Sequence, residues 1–117
     1  MIMIELFINT YEGNTLLFKE NLLGTLENNI LRYENDTDSF LIDLEEAIFQ
    51  KENLESILKI GEKQALLIMK EFDKSLEIPL INCLFKKDLN KITIEYLLES
   101  NENPIKIEIE MRDKNES

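Results

Sequence analysis

The chain has 117 residues, 13 Lys+Arg against 24 Asp+Glu, a net charge of −11, one Cys and no His or Trp. That length suits one domain, which buries roughly two-thirds of its unfolded surface without disulfide or metal support. Without His there is no Ser-His-Asp or Cys-His site within the chain, and the acidic excess repels nucleic-acid phosphates and anionic membranes.

Along the chain, Ile2, Ile4, Leu6 and Ile8 share one parity, the period of a half-buried strand. Tyr11-Glu12-Gly13-Asn14 then offers a turn, and residues 15–19 and 22–27 read as two short strands. Asn28-Asn29 predicts a tight turn, because Asn tolerates positive φ. Residues 30–34 form the next strand and Asn35-Asp36-Thr37-Asp38 a polar turn, after which Phe40, Ile42 and Leu44 share a parity.

The middle supports two readings. Residues 45–60 are rich in Glu, Lys, Gln and Leu, and Ala65, Ile68, Met69 and Phe72 fall at helical spacing, so propensity predicts helices over 45–60 and 62–73. Equally, 55–60 and 64–72 read as a hairpin turning at Gly61-Glu62-Lys63. The chain has no Val and leans on Ile, Leu, Asn, Lys and Glu throughout, which weakens any argument from propensity.

Alternation resumes at Leu76, Ile78 and Leu80, where Pro79 suits an edge or a bulge. Ile92, Ile94 and Tyr96 alternate with polar residues, as do Ile105, Ile107, Ile109 and Met111. With the turn-forming Ser100-Asn101-Glu102-Asn103-Pro104 between them, these runs predict an antiparallel hairpin with one wet face. Short strands and turns about every ten residues are the rhythm of an antiparallel barrel or sandwich. Residues 1–112 read as a single domain, and 113–117 as a polar tail expected to be disordered.

Few residues suggest chemistry. Cys83 lies in the largely apolar Leu80-Ile81-Asn82-Cys83-Leu84-Phe85 and reads as a buried thiol rather than a reactive one. Asp36-x-Asp38 opens like a calcium loop, yet the twelfth position is Ala47 and no Gly stands at the sixth, so no metal is expected. The three Gly are isolated and form no phosphate loop. Apolar runs fall short of the roughly 20 residues of a membrane-spanning helix, and Met1-Ile2-Met3-Ile4 lacks the basic start of a signal peptide. No intrachain disulfide is possible, so a cytoplasmic protein is expected. Tyr33 and Tyr96 fall on the apolar parity, as core filler or as hydroxyls addressing a ligand. Arg32 lies on the polar parity, where an ion pair with a neighbouring strand is its ordinary fate.

In the second half, Lys51-Glu52-Asn53, Gly61-Glu62-Lys63, Ile78-Pro79-Leu80-Ile81 and Ile92-Thr93-Ile94-Glu95-Tyr96 stand in that order before the strand at 105–111. With Tyr33-Glu34, this series resembles the YwiB-like family of small bacterial proteins, over residues 30–112. The resemblance implies an all-β antiparallel barrel of calycin (lipocalin-like) type, of about eight or more strands, and no chemistry. The alternative is an α+β domain with a helix within 45–73.

In a barrel the inward set would be Ile4, Leu6, Ile8, Phe18, Phe40, Ile42, Leu58, Ile94, Tyr96, Ile107 and Ile109. Two functions remain open. The barrel takes a small apolar or amphipathic molecule inside, with Tyr33 and Tyr96 as ligand-binding residues. Alternatively it is filled, and works as a protein–protein interaction module or homodimer through its acidic surface or a strand edge, toward a basic partner. Neither reading calls for catalysis or a cofactor.

Overall fold

The computed structural model describes residues 1–113, and these contain no helix. The strands are β1 (Ile2–Glu12), β2 (Thr15–Glu27), β3 (Ile30–Glu34), β4 (Ser39–Asp43), β5 (Ile48–Glu52), β6 (Ser56–Ile60), β7 (Ala65–Met69), β8 (Lys74–Ile78), β9 (Leu80–Lys87), β10 (Lys91–Leu98) and β11 (Ile105–Asp113). They form one sheet in the order β8-β7-β6-β5-β4-β3-β2-β1-β11-β10-β9, antiparallel at every pairing. Each pairing joins strands consecutive in sequence except β1–β11, where Ile4 stands opposite Asp113 and Glu12 opposite Ile105. The sheet curls into a nearly closed barrel.

The helical alternative for 45–73 is overturned: four five-residue strands, β5 to β8, occupy or border that stretch. Ala65 and Met69 share a face of β7, Ile68 lies on the other, and Phe72 stands exposed in the following turn. Their helical spacing is therefore a coincidence of composition. The expected hairpin at Gly61 is present, between β6 and β7, with the Gly61 N–H donating to the Gln64 carbonyl at 2.8 Å. The two short strands expected at 15–19 and 22–27 are one strand, β2. At the C-terminus β11 runs through Asp113, and residues 114–117 of the expected tail lie outside the described residues.

Local chemistry explains the turns. Asn28 and Asn29 both take positive φ, 53° and 64°, the backbone of a two-residue hairpin turn whose twist matches its strands. Gly13 takes φ 58° in the β1–β2 turn.

Two walls of unequal length enclose the core. One consists of the longer strands β2, β1, β11, β10 and β9, and the other of the five-residue strands β3 to β8. Leu6, Leu31, Ile42, Ile60, Ile94 and Ile109 are fully buried between them. Each such side chain contributes about 1.5–3 kcal/mol relative to exposure.

The walls meet at two seams. At the first, β2 pairs with β3 only through 25–27 opposite 30–32. Gly24 sits at that fork, where a Cβ would lie 2.8 Å from the Arg32 carbonyl oxygen. At the second, β8 and β9 are consecutive and separated only by Pro79. Ile78 stands opposite Ala65 and Leu80 opposite Leu98, so this stretch of chain passes from one wall to the other. Pro79 has no N–H to contribute there, and its carbonyl accepts from the Glu99 N–H at 3.0 Å.

Candidate functional site: an aromatic run and an open edge

Tyr33 and Tyr96, the two expected ligand-binding residues, both point inward and are buried. Two phenylalanines lie between them. Tyr33 on β3 stacks on Phe40 of β4 at 4.7 Å between ring centroids, with 13° between the planes. Phe40 lies 6.0 Å from Phe49 of β5, and Phe49 lies 6.3 Å from Tyr96 of β10. The last step crosses from the short wall to the long one, so the four rings span the interior. Such pairs add about 0.5–1.5 kcal/mol each beyond the area they bury.

Burial, assisted by the Glu20 carboxylate, pushes the Tyr33 phenol well above its ordinary value. Burial, assisted by Cys83, pushes Tyr96 up to about 12. A tyrosine in the unfolded chain ionises near 10. The folded state therefore holds protons that the unfolded state releases above that pH. This contribution is complete below about pH 10 and is lost as pH rises toward about 12. Denaturant titrations should show stability falling across that window, and Tyr96→Phe should flatten part of the fall. A phenolate absorbance from Tyr96 at pH 10 in the folded protein would contradict the assignment.

The remaining residues singled out by sequence are dispersed. Cys83 is buried, and burial raises its thiol pKa, which keeps it protonated. Asp38 accepts from the Thr37 hydroxyl at 2.7 Å and faces Lys51 at 4.0 Å. No group of three or more His, Cys, Asp or Glu is placed to hold a metal ion among the described residues.

Arg32 corrects an expectation, because it makes no ion pair among the described residues. Its cross-strand neighbours are Thr25 and Leu41, not acids. It lines an open groove of about 400 Å³ on the outer face, with Met3, Leu23 and Leu41 as apolar wall and Glu34 and Glu52 as polar rim.

Phe18 is a second correction. It stands opposite Thr10 and has the inward parity expected of it, yet it is 60% exposed. β2 has 13 residues and β3 has five, so the short wall ends before it reaches Phe18. The consequence extends to the backbone. Among the described residues, 15–24 of β2, the bulged Leu17 apart, pair with β1 along one side and with no strand along the other.

A side-chain bridge narrows the fork below this edge. Asn35 donates from Nδ2 to Glu20 at 3.1 Å, while its Oδ1 accepts the backbone N–H groups of Thr37 and Asp38 at 3.0 and 2.9 Å. Above the bridge, residues 15–19 are all exposed, among them Leu16, Leu17 and Phe18. Leu17 is the extra residue of a bulge, since Thr10 stands opposite Phe18 and Tyr11 opposite Leu16.

The sequence gives the composition of this edge but not its exposure, which depends on the unequal lengths of neighbouring strands. Compared with protein-family models, with curated proteins and with solved structures, the chain matches none.

Proposed function

We propose that this chain is a non-catalytic protein–protein interaction module, a filled calycin-like barrel of the bacterial cytoplasm whose acidic surface meets a basic partner. The observation that carries this reading is the run of four rings, Tyr33, Phe40, Phe49 and Tyr96, which places bulky aromatic side chains across the interior. Large apolar side chains also stand outside, in Leu16, Leu17, Phe18, Ile81 and Leu84. A net charge of −11 steers association toward basic partners, in a salt-dependent way.

A second reading keeps the small apolar or amphipathic ligand but moves it to the outer groove around Arg32. About 400 Å³ is within the usual range for ligand pockets, roughly 300–1,000 Å³.

Native mass spectrometry on the protein, purified gently at low salt from its own cells, separates the two readings. A retained basic protein chain and no small adduct is the result expected of the interaction module. A small mass lost on denaturation would replace that reading with the carrier.

A further inference from the structure

We infer that the partner docks by strand addition: an extended segment, apolar and basic in composition, pairs with residues 15–19 of β2. This rests on the interaction-module reading and names its surface and the form of its partner.

Three observations support it. First, among the described residues the backbone of 15–19 has a strand partner on one side only, β1, which pairs with all but the bulged Leu17, and all five residues are exposed. Their number equals the length of each of the protein's own strands β3 to β8, so a segment of that length forms a pairing this sheet already uses. Second, the edge is only lightly protected: of the devices that keep edges unpaired, Lys19 and the bulge at Leu17 are present, but no Pro and, among the described residues, no covering strand. Leu16, Leu17 and Phe18 are exposed on it. An uncovered edge that exposes apolar side chains is a template on which an extended chain can pair.

Third, charge selects the occupant. Glu20 closes the lower end of the edge, and the Asn35 bridge carries the 35–38 turn, with exposed Asp36, to the same place. Glu34 is exposed just before that turn. A second copy at −11 would bring like charge to this lip, whereas Lys or Arg on an incoming strand would meet opposite charge.

Hydrogen exchange on the full chain tests the inference, with a synthetic ten-residue peptide of alternating Val and Lys as probe. The expected result is about tenfold slower exchange in residues 15–19, equivalent to about 1.4 kcal/mol of added protection. Exchange in β9, the other long strand with an open edge, should stay unchanged. Leu16→Lys together with Phe18→Lys should abolish the effect, and both sites are exposed enough to leave the fold intact. Leu84→Lys on β9 should preserve it.

Slowing on β9 instead would overturn the location. Equal slowing by a Val–Glu peptide would overturn the basic occupant. Protection of 15–19 that rises with protein concentration and no peptide would replace the partner with a second copy. No slowing by either peptide would end the strand-addition inference. A basic chain retained in native mass spectrometry would in that case still support the interaction module through another surface.

Discussion

Phe49→Ala should lower the unfolding free energy by about 3–5 kcal/mol, the range for a buried aromatic truncated to Ala. Phe49 is 1% exposed and is the ring through which the short wall touches Tyr96 on the long one. Its removal takes away the transfer energy of the side chain, two ring contacts and the packing of a cavity that neighbours fill only in part. Urea denaturation followed by circular dichroism reads the effect as a lower midpoint with an unchanged slope. Phe72→Ala is the matched control. Phe72 is exposed in a turn, so its loss should stay within about 0.5 kcal/mol. Equal effects from the two substitutions would mean that the rings do not pack as a continuous run.

Gly24→Ala should cost about 1–3 kcal/mol, from strain rather than lost burial. The new Cβ would sit 2.8 Å from the Arg32 carbonyl oxygen and 2.8 Å from Leu6 Cδ1. The leucine tip can rotate, but the carbonyl belongs to the backbone at the three-residue pairing of β2 with β3. Relief therefore requires those strands to separate, and amide exchange at 30–32 should rise with the loss of stability. Gly61→Ala is the control, because its Cβ would come no nearer than 3.7 Å to any of its neighbours. That substitution should lie within about 0.5 kcal/mol of the wild type. A Gly24→Ala protein as stable as Gly61→Ala would show that the fork opens without cost.

The C-terminal hairpin was legible in sequence because each of its strands has one wet face. Ile92, Ile94, Ile107 and Ile109 are buried while Thr93, Glu95, Glu108 and Glu110 alternate outward, so the period of two survives. Asn28-Asn29 was legible as well, since its chemistry is local and the left-handed backbone follows from it. β7 was not. Ala65-Leu66-Leu67-Ile68-Met69 is apolar on both faces, and four of the five residues are half-buried, which erases the period and lets a helical spacing arise.

The candidate site divides in the same way. Parity alone turned Tyr33 and Tyr96 inward. Their connection through Phe40 and Phe49 depends on how two walls face each other, which no local pattern encodes. Phe18 shows the opposite failure: its parity is right, but burial also needs a wall opposite, and β3 is too short to provide one.

The sheet order also bears on how the chain folds. Every hairpin from β1 to β8 and from β9 to β11 forms between neighbours in sequence, and the β8–β9 passage needs only chain continuity. These steps are local and therefore fast. Closure is the exception, because β1 can pair with β11 only after the two ends of the barrel meet, at the entropic cost of a very long loop. During synthesis β1 must wait for β11 to leave the ribosome. Until then Ile2-Met3-Ile4-Glu5-Leu6-Phe7-Ile8, apolar but for one Glu, presents an unprotected edge. Aggregation during folding is therefore expected to begin there, and it should increase when the arrival of β11 is delayed.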